Sequence, residues 1–311
     1  MGFFLNIYLS NFITRFDKNG ITPFLSNDDF KGLKKEDNYF TNSKGNKIAY
    51  FFYEYQNQHN DKIILFLHGI GPGHTAYMSE INTICEKGYK VLTLDYTGCD
   101  KSEGKNLYSI NQPTEDVDEL LNYLNLKEEV IVIGHSLGGY TCLNTINIHQ
   151  NIKKAVVISG FLSLKKELDG LFKHIPFSSY SSIRYEKKLN MKYGNLNNVK
   201  YLKNTNDHIL FVHSKDDHLV PFNTSTGYIQ RKIKNSNLQF VVVNNKKHNP
   251  NYTKESLDYM NETFAVYYNK IKAKELDTFD KKKEYMSDKS AFKMTYQDKD
   301  VWDKIFDFIE K

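Results

Sequence analysis

Three residues of this 311-residue chain have the types and the order that acyl-transfer chemistry needs: Ser136, Asp217 and His248. A serine hydroxyl is a weak nucleophile until a base takes its proton, and the base needs a third group to orient it. Ser136 lies in Gly134-His135-Ser136-Leu137-Gly138. The run before it, Val130-Ile131-Val132-Ile133, reads as a strand buried on both faces, and Tyr140 to Ile146 after it as a helix. Strand, tight turn and helix around Gly-x-Ser-x-Gly make a nucleophile elbow, whose strained turn projects the serine Oγ clear of a sheet. Gly134 and Gly138 have no Cβ, so strand and helix can approach there. The bland reading of the same five residues is a glycine-rich turn, and the flanking strand and helix weigh against it.

The acid belongs in a loop after a later strand. Ile209-Leu210-Phe211-Val212-His213 is such a strand, and Asp216 and Asp217 follow it. Asp217 is preferred because Asp217-x-x-Val220-Pro221 places the carboxylate at the turn; Asp216 is the alternative, with turn capping as its ordinary role. The base should follow the last strand, Phe240-Val241-Val242-Val243, and His248 does. The oxyanion donors are assigned to the backbone N–H groups of Leu137 and Ile70. Ile70 lies in the loop His68-Gly69-Ile70-Gly71, after the strand Lys62 to Leu67. His68, Gly69, Gly71 and His135 are expected to contact substrate. No cofactor is expected: there is no metal-ligand cluster, and Ile70-Gly71-Pro72-Gly73 lacks the Gly-Lys-Ser/Thr of a nucleotide loop.

Those residues need a frame. A hairpin is expected over 39–55, with 17–36 as loop, and strands at 62–67, 90–95, 130–133, 155–160, 209–213 and 240–243. Helices between them follow from Met78, Ile81, Ile84 and Cys85, from Val117, Leu120, Leu121 and Leu124 behind Pro113, and over roughly 224–235. This rhythm predicts an α/β fold with a mostly parallel, doubly wound sheet. Residues 161–205 break the rhythm with irregular aromatic helices, including Phe172, Ile175 and Phe177. They are read as a helical cap at the carboxyl end of the sheet, where open α/β folds bind ligands; ordinary crossover helices are the alternative. The division is therefore an N-terminal extension (1–36), a core (37–160 and 206–311) and a cap (161–205). A final helix carries Trp302, Ile305, Phe306 and Ile309 on one face. Residues 251–298 are long for a link and have no assigned purpose.

Composition narrows the class. The net charge of +5 comes from scattered lysines without a dense basic block, so nucleic acid is not an expected partner. Three cysteines, with no Cys-x-x-Cys, read as reduced thiols of a cytoplasmic protein. No apolar run is long enough to span a bilayer. The apolar segment Gly2 to Ile13 lacks a basic start and a small-residue cleavage site, so it is not read as a signal peptide. It either packs on its own domain or makes a peripheral membrane contact.

The chain resembles the α/β-hydrolase superfamily, and within it the serine aminopeptidase-like and monoacylglycerol-lipase-like branch. The resemblance rests on His68-Gly69, on Asp95-Tyr96-Thr97-Gly98 with Lys101-Ser102-Glu103-Gly104, on the elbow, on Asp217-x-x-Val220-Pro221 and on His248. It spans about 62–250. It implies a serine hydrolase acting on a small acyl substrate, an ester or, alternatively, a peptide or amide; a non-catalytic binding protein on this fold is the third reading. Two positions depart from the branch: Gly98-Cys99-Asp100 stands where Gly-x-Gly is usual, and Lys247 precedes His248 where glycine is usual.

Overall fold

β-Branched and aliphatic runs, unbroken by polar residues, can satisfy their backbone only inside a sheet covered on both faces. The computed structural model describes residues 9–11, 13–56, 60–171 and 179–311. These form one eight-stranded sheet in the order β1-β2-β4-β3-β5-β6-β7-β8. The strands are β1 (Leu33–Thr41), β2 (Lys47–Tyr55), β3 (Lys62–Leu67), β4 (Lys90–Leu94), β5 (Glu129–His135), β6 (Lys154–Ile158), β7 (His208–Ser214) and β8 (Leu238–Val243). β1 pairs with β2, and β2 with β4, antiparallel; every other pairing is parallel. The expected architecture is therefore present.

Helices cover both faces. α1 (Met78–Glu86) lies between β3 and β4, α2 (Gln112–Leu124) between β4 and β5, and α3 (Leu137–Ile148) between β5 and β6. Four helices follow β6: α4 (Leu164–Leu171), α5 (Tyr180–Leu189), α6 (Met191–Gly194) and α7 (Asn198–Asn204). α8 (Thr226–Lys232) joins β7 to β8 and is shorter than expected. α9 (Lys254–Lys272), α10 (Phe279–Ser287), α11 (Ala291–Met294) and α12 (Lys299–Glu310) complete the chain. One core, with Val117 of α2, Leu143 of α3 and Ile229 of α8, fills one face of the sheet. The other, with Ile81 of α1 and Trp302, Ile305 and Phe306 of α12, fills the opposite face. Each large buried side chain on α12 contributes roughly 1.5–3 kcal/mol, against differences of about 0.7 kcal/mol or less in residue helix propensity. Docking, not propensity, holds that helix.

One expectation is corrected, and two segments that the sequence leaves open find their place. The hairpin begins at Leu33, inside the stretch read as loop. The described part of the N-terminal extension packs on its own domain, the first of its two readings: Leu9, Ile13 and Phe16 lie in or against the core. Arg15 donates to the carbonyls of Asp100, Ser102 and Gly104 at 2.8, 3.1 and 2.8 Å. Residues 251–298 leave and return at one place, since Tyr252 and Gln297 form an antiparallel bridge. Their helices enclose a small core of Tyr267, Leu276, Met286 and Met294. The rest of the N-terminal apolar segment, residues 1–8 and 12, lies outside the described residues, as do Phe172, Ile175 and Phe177.

The elbow depends on backbone contact that no side chain could share. A Cβ on Gly134 would lie 2.1 Å from the Gly138 carbonyl oxygen, and one on Gly138 would lie 2.0 Å from that of Leu67. Both obstacles are main chain and cannot swing aside. Gly138→Ala should therefore cost about 3 kcal/mol or more, read as a lowered denaturant midpoint or loss of soluble protein. A midpoint within error of wild type would show that β3 and α3 can part without penalty.

Candidate active site

Ser136 follows β5 with φ 58° and ψ −118°, a left-handed conformation that a non-glycine residue adopts at a cost of roughly 1–3 kcal/mol. Hydrogen bonds hold it there: Ser136 N donates to Ile158 O at 2.9 Å, and Tyr140 N to Ser136 O at 3.1 Å. The next residue, Leu137, opens α3, so its N–H is among the free donors at a helix N-terminus. Ser136, Leu137, Ile70 and His248 all line one cavity of about 430 Å³. Its wall is largely apolar, with Ile110, Phe161, Leu164 and Leu168; Leu164 and Leu168 come from α4. Ile70 and Leu219 are exposed residues of its lining. Residues 251–298 contribute nothing to it among the described residues.

Asp217 follows β7 in a turn that its own side chain ties. Its Oδ1 accepts from Leu219 N at 2.9 Å and Val220 N at 3.0 Å. Its Oδ2 accepts from His248 Nδ1 at 2.8 Å and lies 3.1 Å from His213 Nε2. Burial pushes the Asp217 carboxyl pKa up, but the hydrogen bonds from His213 and His248 outweigh it and hold the group well below the usual carboxylate range. The ionised carboxylate only accepts, so His248 carries its proton on Nδ1 and leaves Nε2 free to act as a base. Among the described residues Ser136 and His248 share no hydrogen bond, a separation common in unliganded sites that closes when substrate binds.

Asp216 has another task. Its Oδ1 accepts from Ser214 Oγ, and its Oδ2 from Lys247 N at 3.3 Å. It braces the loop that carries His248. Lys247 itself has φ 48° and Asp100 φ 34°. Both positions where glycine is usual thus keep a left-handed backbone, held by neighbouring hydrogen bonds: Asp100 N donates to Phe16 O at 3.0 Å.

The residues expected to contact substrate divide. His68 is a correction: it is fully buried, its ring stacked on Tyr96 at 3.9 Å and its Nδ1 2.7 Å from Gly69 O. Burial lowers its pKa to about 4, and it braces the strand end rather than the cavity. Gly71 is not on the cavity wall. Gly69 is engaged: its N–H donates to the Tyr77 hydroxyl at 3.0 Å. His135 does line the cavity, yet both its ring nitrogens are engaged, Nδ1 with Tyr77 Oη at 3.0 Å and Nε2 with His248 O at 2.9 Å. Burial and then the neighbouring His248 push its pKa down to about 3.

Tyr77 and His213 are the site residues without a role in the sequence reading, which offers Glu167, with Asp169 and Glu186, only as acidic residues available to hold a substrate ammonium in the aminopeptidase alternative. Tyr77 and His213 are aromatic rings whose partners meet them only through the sheet. Glu167 of α4 is a buried carboxyl on the cavity wall with no side-chain hydrogen bond among the described residues. Burial, and then the Asp217 charge, push its pKa up to about 8. Among the described residues no group of three or more His, Cys, Asp or Glu side chains could hold a metal ion, and no helix is long and apolar enough to cross a membrane.

A mostly parallel sheet with a serine elbow after β5, a carboxylate after β7 and a histidine after β8 is the arrangement of the α/β-hydrolase fold, and the chain has that fold. Residues 58–208 match the family described as serine aminopeptidase, S33. Similar proteins include the proline iminopeptidase of Thermoplasma volcanium, 30% identical over 43% of this chain and 48% of that one. An sn-1-specific diacylglycerol lipase of Danio rerio is 28% identical over 30% of each chain. The chain spans about half the length, or less, of these curated relatives. The esterase of Pyrococcus furiosus shares the fold at TM-score 0.56 and 20% identity, over 74% of this chain and 88% of that one.

Proposed function

We propose that this chain is a serine hydrolase that cleaves carboxylic esters with an apolar acyl group. The observation that carries the reading is the strained Ser136 on the same cavity wall as His248, whose Nδ1 donates to Asp217. Ser136 Oγ attacks the ester carbonyl while His248 Nε2 takes its proton. The tetrahedral oxyanion is held by the N–H groups of Leu137 and Ile70. His248 then protonates the departing alkoxide, leaving an acyl-serine. Water, deprotonated by the same nitrogen, releases the acid and restores Ser136. Asp217 keeps the imidazole oriented and offsets its charge in both halves. The apolar wall of Ile110, Phe161, Leu164 and Leu168 supports an acyl group over a polar one. Fluorophosphonate labelling, read by intact mass, and turnover of p-nitrophenyl esters test the reading. One adduct on wild type and ester turnover are expected.

Glu167 favours a second reading, an aminopeptidase whose substrate ammonium pairs with that carboxylate. Asp169 and Glu186 do not serve it: Asp169 pairs with Lys165 and Ser179, while Glu186 accepts from Ile110 N and Asn111 Nδ2. The pH dependence separates the two. Glu167 is neutral below about pH 8 and ionises above it. Ionisation places a charge in the apolar cavity, so kcat/KM for an uncharged ester should fall severalfold between pH 7 and 9, and Glu167→Gln should remove that fall. Aminoacyl amides should be turned over at least tenfold more slowly than esters. Faster amide cleavage, lost in Glu167→Gln, would transfer the assignment to the peptidase.

A further inference from the structure

One chain of hydrogen bonds runs beneath the cavity and joins its two functional loops. It starts at Gly69 N, beside the proposed oxyanion donor Ile70, and ends at the backbone carbonyl of His248. Between them lie the Tyr77 hydroxyl and the His135 ring, with successive separations of 3.0, 3.0 and 2.9 Å. Its ends dictate its polarity. A backbone N–H only donates and a carbonyl only accepts. His135 must therefore carry its proton on Nε2, its Nδ1 must accept, and the Tyr77 hydroxyl must donate to it while accepting from Gly69. The arrangement is satisfied only while His135 is neutral and Tyr77 keeps its proton. Burial favours both states: it lowers the His135 pKa and raises that of Tyr77.

The packing has no slack. A Cβ on Gly69 would lie 2.6 Å from the Tyr77 hydroxyl and 3.1 Å from Ser136 Cβ, so glycine brings this loop against both the tyrosine and the nucleophile. The remainder of the loop is tied elsewhere. Tyr96 Oη donates to His68 O at 3.0 Å, and His74 N and Nδ1 both lie 2.8 Å from Asp95 Oδ1. Gly69 and Ile70, between those anchors, are held toward the nucleophile through Tyr77.

We infer that Tyr77 and His135 are positioning residues that set the oxyanion loop and the His248 loop relative to one another across Ser136. Neither touches the reacting atoms, and the inference rests on the serine-hydrolase reading. An oxyanion donor acts more strongly on the transition state than on bound ester, so a donor moved out of line lowers kcat and spares KM. Tyr77→Phe keeps the ring and deletes the link. It should lower kcat for p-nitrophenyl butyrate about 10- to 100-fold with KM within about twofold. His135→Leu should lose as much, and His135→Asn should recover part, because its amide oxygen can stand where Nδ1 accepts from Tyr77.

The experiment measures kcat, KM, thermal midpoint and the fluorophosphonate labelling rate of wild type and the three variants. Reduced kcat at unchanged KM, slower labelling, and His135→Asn above His135→Leu would support the inference. An active wild type with Tyr77→Phe within twofold in kcat would overturn it alone. Equal losses in both His135 variants, tracking their thermal midpoints, would reduce it to ordinary packing. A folded wild type that neither labels nor turns over ester would sink the hydrolase reading and this inference together.

Discussion

Ser136→Ala should abolish the fluorophosphonate adduct and lower kcat for p-nitrophenyl esters on the order of 10⁴- to 10⁶-fold. The loss corresponds to about 5.5–8 kcal/mol of transition-state stabilisation. It is large because the residues beside Ser136 offer no substitute: the next residue on that turn is Leu137, and the His135 and Tyr77 side chains are already engaged with each other. The substitution removes one oxygen from a backbone already held by Ile158 and Tyr140, so the fold should survive it. Circular dichroism and the thermal midpoint check that. An adduct that persists on the alanine variant would place the nucleophile elsewhere.

Asp217→Asn should cost nearly as much in rate, about 10⁴-fold, and should also destabilise the protein. The geometry dictates both. Oδ1 accepts from two backbone N–H groups, so an asparagine must place its oxygen there. Its NH₂ then faces His248 Nδ1 and His213 Nε2. His213 Nε2 also lies 3.0 Å from Val220 O, which can only accept, so that nitrogen carries a proton and meets a donor. His248 must turn Nδ1 into an acceptor, which moves its proton to Nε2 and removes the base. A buried unsatisfied donor adds about 1–3 kcal/mol of lost stability. Asp216→Asn makes the contrast, since Asp216 holds Lys247 N and not the imidazole. Its kcat should stay within tenfold of wild type. If Asp216→Asn were the more damaging, the acid would be misassigned. The Asp217 carboxylate is held below its ordinary pKa, so it stays ionised throughout the neutral range and does not set the acid limb of the pH profile.

Much of the architecture was legible because it is written in local periods. β3, β5, β6 and β7 are short aliphatic runs that no solvated structure accommodates, and α12 displays its apolar face at helical spacing. The elbow was legible for a steric reason: the backbones pass so close on either side of Ser136 that a Cβ at Gly134 or Gly138 would lie 2.0–2.1 Å from a carbonyl oxygen, and only glycine fits. Where local pattern is weak, the reading failed. β1 opens as Leu33-Lys34-Lys35-Glu36-Asp37, an edge strand whose burial does not alternate and whose charges suit an edge. Only its pairing with β2 makes it a strand.

The sequence alone determined the order of the elements and singled out Ser136, Asp217 and His248 as the candidate nucleophile, acid and base, because turn sterics and loop order select them. Tertiary structure decided their partners. His213 became the second hydrogen-bonding neighbour of Asp217, Asp216 a brace for Lys247, His68 a buried strut and His135 a link to His248. Tyr77 and His135 are 58 residues apart, and His135 and His248 113 apart. No spacing rule reaches that far. Parallel strands return the chain to one edge after each crossover, and the side chains that meet there are set by how β3, β5 and β8 stack their carboxyl ends. Asp100 and Lys247 show the same division: the sequence displayed two missing glycines, and the fold kept their backbone by hydrogen bonds that only neighbouring loops could supply.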